Sequence, residues 1–270
     1  MPAVANSADP VQPAAPIRTE YQRRLERAVT DMHKSVRFWV AGCYRVQMAN
    51  APIVLAADAP PHHAGDASAP RELQDAIRKL SRRWLRNFDK LAWKLSDWFA
   101  TKVEERSTVG LRESLRKHGF TVRFKPTRAM NDAAQAVAAE NVALIKSIPE
   151  QYLKSVEGAV MRSAQTGRDL KSLVDELTQI EGITRRRAKL IARTQNNQAT
   201  AAMTRVRMLE AGITQAIWVH TGAGRTFRPA HVAMSGRRYS IADGADVEGR
   251  WPGVAINCHC IQRPVIPGFD

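Results

Sequence analysis

From residue 21 to about residue 48, apolar side chains recur at three- and four-residue steps (Leu25, Val29, Met32, Val36, Val40), which predicts an amphipathic helix. The clearest pattern of this kind runs from 71 to 118, where Leu73, Ile77, Leu80, Trp84, Phe88, Leu91, Leu95 and Trp98 share one stripe. Gly119 is placed to end that helix, and the alternation over 120–124 predicts a short strand ahead of Pro126. Residues 131–145 are Ala-rich and helical in pattern. Pro149 suits the first turn of a new helix that reaches about Ala164 before Gly167. Another short helix is expected over 169–180, and Thr184 can cap the one that follows, which Gly212 closes in a left-handed conformation. Its face of Ala188, Ile191, Ala192, Ala199, Met203 and Val206 is narrow, so a neighbouring helix can pack closely against it.

After residue 215 the 3.6-residue period stops. Gly, Pro, His, Cys and Trp crowd into short segments, which predicts a small, turn-rich, partly β module. The fold class is therefore mainly α, with a helical N-terminal arm and a small α+β module at the C-terminus. Four segments follow: a disordered tail over 1–20, rich in Ala and Pro; a basic helical region over 21–125; a helical region over 126–215; and the turn-rich module over 216–270. The Pro-rich stretch 49–70 contains the pair His62 and His63. Two adjacent histidines fall short of the three or four convergent ligands a metal needs, so a solvated loop is expected.

Charge changes the picture for the N-terminal half. In the 270-residue chain Lys+Arg 41 outweigh Asp+Glu 26, for a net charge of +15, and such a field draws polyanions. Arg78, Arg82, Arg86, Lys90 and Lys94 repeat every four residues and so share one helix face. They form either a solvated surface or a stripe that tracks the phosphates of double-stranded DNA and releases counterions. Trp93 lies off the apolar stripe, in a position to face a partner. The longest apolar run, 52–57, is far too short to span a membrane, so no membrane partner is expected, and the start of the chain lacks a secretory pattern. Three cysteines, with Cys43 isolated, make no disulfide framework and fit a reducing cytoplasm.

The candidate chemistry sits in the last fifty residues. Cys258, Cys260 and His231 are the best metal-ligand candidates, with His220 or His259 able to complete a zinc tetrahedron. Small buried thiols beside a histidine bonded to backbone would explain the same residues. Arg225 and Arg228 are placed to orient His231 or face an anion, and Trp218 and Trp251 are expected in the core. A Cys/His nucleophile pair, or a metal-dependent hydrolase acting on nucleic acid, is the enzymatic alternative. The chain has no Gly-rich phosphate loop, no HisGluxxHis and no acidic cluster suited to two metals, so catalysis is not expected and no cofactor beyond zinc is called for.

One ordered set of motifs adds a resemblance. GluAsnValAlaLeuIleLysSerIleProGluGlnTyr (140–152), IleAlaArgThr (191–194), GlyIleThrGlnAlaIleTrp (212–218), GlyArgThrPheArgProAlaHis (224–231), Gly236, ProGly (252–253) and AsnCysHisCys (257–260) occur in sequence. Over roughly 126–265 the chain resembles the phage head morphogenesis family, the phage Mu F-like minor head proteins. Trp218, Arg225, Arg228, His231, Gly236, Asn257, Cys258 and Cys260 are its motif positions here. His259 stands where the family usually has Arg, and Gly224 or Ala223 stands where an acidic residue is common. The resemblance implies a virion protein of the head interior, made in the host cytoplasm. It also implies association with the portal protein during procapsid assembly, contact with packaged DNA, and possible contact with scaffold or major capsid protein.

Overall fold

The computed structural model describes residues 7–49, 68–165, 170–223 and 227–267. Four long helices precede a small sheet: α1 (Ala15–Ala49), α2 (Ser68–Lys117), α3 (Arg128–Gln165) and α4 (Leu170–Glu210), then β1 (Gln215–Val219), α5 (Pro229–Ala233), β2 (Arg238–Ser240) and β3 (Ile261–Pro264). The mainly helical class with a C-terminal α+β module is what the periodicity predicts. No helix among the described residues is long and apolar enough to cross a membrane. His62, His63, Gly167, Gly224 and Arg225 lie outside the described residues.

The chain divides into two compact units. One comprises 1–22, 93–142 and 190–270, the other 23–92 and 143–189. In the second unit the predicted stripes are buried: Leu25, Val29, Met32, Val36 and Val40 on α1, with Leu73, Ile77, Leu80 and Phe88 on α2. His33 is buried among them. Its Nδ1 lies 3.0 Å from the Tyr152 hydroxyl and its Nε2 3.4 Å from a carboxylate oxygen of Glu181.

Pro149 does not begin a helix; it lies inside α3. Ile145, Ile148, Tyr152, Val156 and Ala159 continue one buried face across it. That packing outweighs the roughly 3 kcal/mol an interior proline costs. Nor does Thr184 cap a new helix. α4 runs unbroken through it, and its Oγ1 donates to the Ile180 carbonyl at 2.8 Å, as a mid-helix threonine does. The buried series Leu173, Leu177, Thr184, Ala188 carries α4 across the break expected between 180 and 184.

In the first unit, Gly119 and Gly212 end α2 and α4 as predicted, at φ +88° and +75°. At each, the residue after the glycine bonds back five residues, Phe120 N–H to Leu115 O and Ile213 N–H to Met208 O, satisfying a carbonyl of the last turn. Residues 120–124 are extended but form no strand, since no neighbouring backbone pairs with them among the described residues. Phe120, Val122 and Phe124 spend the alternation on packing against the core instead.

The N-terminal segment also departs from expectation over its described part. Residues 7–14 are an extended strap and 15–20 already belong to α1. Ala8 and Val11 are buried, Ala8 N–H donates to Pro264 O at 3.0 Å, and Ser114 Oγ donates to Asp9 O at 2.7 Å. Gly110 on α2 makes room, since a Cβ there would stand 3.1 Å from a Val11 methyl. A few well-seated apolar groups and borrowed backbone partners order a segment whose composition argues for a tail.

The sheet has the order β2-β1-β3, antiparallel throughout. Trp218 in its central strand is fully buried, against Tyr239 and the thiol-bearing segment before β3.

Candidate functional site

The pairing of β1 with β3 fixes the first half of the site. Val219 lies opposite Ile261, so the next residues out, His220 and Cys260, leave the sheet side by side. The Nδ1 of His220 is 3.6 Å from Cys260 Sγ. Helix α5 begins with Pro229 after the extended Arg228 and brings in His231, whose Nδ1 is 3.4 Å from Cys258 Sγ and 3.8 Å from Cys260 Sγ. His231, Cys258 and Cys260 are all buried, and their ligand atoms lie within 4.8 Å of one another. The three predicted metal candidates thus converge. Of the two histidines held open for a fourth position, His220 is the one the register delivers. His259 is instead held below its ordinary pKa by burial and by the Arg193 charge, and its carbonyl accepts from Thr221 Oγ1 at 2.9 Å.

The ring of His231 is fixed on its other side. Its Nε2 is 2.9 Å from the Glu248 carbonyl oxygen, which makes Nε2 the protonated nitrogen and leaves the Nδ1 lone pair directed at the sulfurs. Glu248 is in turn held by Arg228, whose Nε donates to its carboxylate at 2.7 Å and whose Nη2 donates to Ile256 O at 3.2 Å. That hydrogen bond keeps the Glu248 carboxyl below its ordinary range. Arg228 therefore acts on His231 through Glu248. Trp218 stands edge-on to the His231 ring at 5.0 Å, and its buried indole N–H, without an oxygen or nitrogen acceptor, adjoins Cys260.

The two thiols are electrostatically unequal. A hydrogen bond from the Cys260 thiol, then the backbone N–H groups of Cys260 and Gly253, hold Cys258 down at about 5. Cys260, left as the donor and buried, is pushed up. None of the three cysteines, Cys43 included, is in a disulfide.

A clamp from α4 holds the cysteine segment and explains why separated motifs occur together. Thr194 Oγ1 accepts from Asn257 N–H at 3.2 Å, Asn197 Nδ2 donates to Cys258 O at 2.7 Å, and Gln198 Nε2 donates to Val254 O at 2.5 Å. Asn257 takes a left-handed φ of +59°, and Gly253 sits at φ +84° where a Cβ would be 3.2 Å from Cys260 O. Gly236, at φ +84°, donates its N–H to Trp218 O at 2.8 Å on the way into β2. The narrow face of α4 predicts close helix packing but not the clamp. Its signal is the polar run at 194–198 in the interior of an otherwise small and apolar face. Trp251, expected in the core, is half-buried, with its N–H on Ile241 O at 2.9 Å and the Arg205 guanidinium 4.2 Å over its ring. The head of the 140–152 motif also meets α4: Asn141 Nδ2 donates to Gln195 Oε1 at 2.9 Å, while Asn141 Oδ1 accepts from the Tyr21 hydroxyl at 2.6 Å.

On α2, Arg78, Arg82, Arg86, Lys90 and Lys94 are all exposed. Arg78 pairs loosely with Asp75 at 3.7 Å. Trp93, between the last two of them, is 60% exposed.

Residues 154–263 match the family described as "Phage Mu protein F like protein". Over 138 residues, 51% of this chain, the sequence is 34% identical to an uncharacterized protein of Haemophilus influenzae, and that stretch spans 30% of the relative's own length. No solved structure matches. The family match begins within α3, beyond the 140–152 motif, and takes in the clamp, His220, His231 and both cysteines of the cluster. Over residues 154–263 the chain is thus similar to the Phage Mu protein F like family.

Proposed function

We propose that this chain is a phage head protein that docks on the portal of the assembling procapsid and lays the basic face of α2 against packaged DNA. The observation that carries the reading is the pairing of a Phage Mu F-like region with a set of exposed cations spaced four residues apart on one helix. Cations held out on a helix neutralise phosphates at small desolvation cost, and the net charge of +15 steers the approach. Phe227, Val232 and Ile256, each about half exposed or more, give the C-terminal module apolar side chains to offer the portal. The hydrolase reading is weaker. The cavity beside the cysteines and histidines measures only about 20 Å³, room for one water and not for a phosphodiester.

Two measurements test the two halves. Affinity for duplex DNA should fall steeply with salt, and replacing Arg82, Arg86 and Lys90 together by Ala should flatten the slope of log K against log salt by about 3. An unchanged slope would remove α2 from the interface. Portal protein of the same virus should be captured by the wild-type chain and less well by Ile256→Asp. Capture that fails for the wild type would end the docking half.

A further inference from the structure

We infer that His220, His231, Cys258 and Cys260 are the four ligands of a structural zinc site that ties the C-terminal module together. The inference rests on local geometry and is independent of portal or DNA binding. A tetrahedral zinc ion holds thiolate sulfur at about 2.3 Å and imidazole nitrogen at about 2.0–2.1 Å, so a sulfur and a nitrogen on one ion stand about 3.6 Å apart. The three sulfur–nitrogen separations in the cluster are 3.4, 3.6 and 3.8 Å. They also share corners. His231 Nδ1 faces both sulfurs and Cys260 Sγ faces both imidazoles, so three ligand atoms already cluster within 4.8 Å and His220 reaches that cluster through Cys260 Sγ. With Nε2 as its protonated nitrogen, His231 has a single lone pair on Nδ1 facing two sulfurs, more than one ordinary S–H···N bond accounts for.

The surroundings are those of a metal-ligating histidine. The bond from His231 Nε2 to the Glu248 carbonyl leaves Nδ1 as the coordinating nitrogen, and Arg228 holds Glu248 in place. His220 is steadied by Phe227, edge-on at 5.0 Å. The four residues come from the end of β1, from α5 and from the segment entering β3. A single ion would therefore join three stretches of a module whose own sheet has three short strands. With every position filled by protein the site is closed, which marks it as structural and not hydrolytic.

The test uses the full chain, purified without a polyhistidine tag under reducing conditions. Elemental analysis should find one zinc per chain. After removal by a chelator, added Co²⁺ should give the intense visible bands of tetrahedral coordination and a thiolate charge-transfer band. Cys258 and Cys260 should be shielded from thiol reagents in the zinc form and open to them in the stripped form, with Cys43 as internal reference. His220→Ala should weaken zinc binding by more than about tenfold and change the cobalt spectrum. Cys258→Ser should lose zinc binding, and should that variant fail to fold, the stripped wild type supplies the metal-free comparison. Folded protein that takes up no zinc from an equimolar solution, a Cys258–Cys260 disulfide in the reduced preparation, or a His220→Ala variant with unchanged affinity and spectrum would each overturn the four-ligand site.

Discussion

Two buried histidines, one in each compact unit, have similar burial and opposite surroundings. His231, 2% exposed, gives one ring nitrogen to a backbone carbonyl and turns the other to two sulfurs. His33, 5% exposed, has a hydroxyl on one side and a carboxylate on the other. Hard oxygen partners close a polar network: Tyr152 donates to Nδ1, Nε2–H points to Glu181, and Thr30 Oγ1 reaches the same carboxylate at 3.3 Å. Soft sulfur partners leave the Nδ1 lone pair facing two thiols, the arrangement from which the zinc site is inferred. Burial alone therefore says nothing about function, while the partner atoms separate a satisfied core histidine from a ligand.

The largest effect that sharpens this contrast comes from the wall behind His231. Trp218→Ala empties a fully buried site, with a cost of about 3–5 kcal/mol. Tyr152→Phe keeps its ring and strands only the His33 nitrogen, with a cost of about 1–3 kcal/mol. Denaturant unfolding followed by circular dichroism compares them. If Tyr152→Phe cost as much as Trp218→Ala, the His33 network would be holding its unit together as firmly as the tryptophan core holds the other.

A smaller effect is expected at the α4 clamp. Asn197→Ala leaves the buried Cys258 carbonyl without its donor, at about 1–3 kcal/mol. Because the clamp holds the cysteine segment and not the ion, the variant should lose stability while still binding zinc in its metal-loaded form. An Asn197→Ala protein as stable as wild type would show that the register of β1 and β3 alone positions the cysteines.

How much of this was legible follows from how local each determinant is. The helix stripes of α1 and α2 and the glycine ends at Gly119 and Gly212 depend on neighbours within a few residues, and they appear where the pattern puts them. The cluster is half legible: residue type points to Cys258, Cys260 and His231, whereas the choice of His220 over His259 depends on a strand register. The breaks at Pro149 and Thr184 were overruled by buried faces continuing past them, and the strap over 7–14 by contacts with residues more than a hundred positions away. His33 shares a helix face with Val29 and Val36, so its pattern reads as core. Its carboxylate partner is 148 residues further along the chain.

That hidden partner leads to the smallest expected effect. Burial lowers the pKa of His33 from 6.5, Arg37 adds to the lowering, and Glu181 opposes it without reversing it. Below pH 6.5 the unfolded chain therefore takes up a proton at this site that the folded chain refuses. Stability contributed by neutral His33 is complete above pH 6.5 and is lost as the pH falls toward the lowered folded value, with a slope of at most about 1.4 kcal/mol per pH unit. His33→Gln retains a donor for Glu181 and an acceptor for Tyr152 but binds no proton. Urea unfolding of both proteins at pH 7, 6 and 5 should show the wild type losing its advantage over the variant step by step, since carboxylates common to both cancel in the difference. Parallel curves across that range would mean that Glu181 keeps His33 as readily protonated in the fold as in the open chain, and that its network is no more closed than the one around His231.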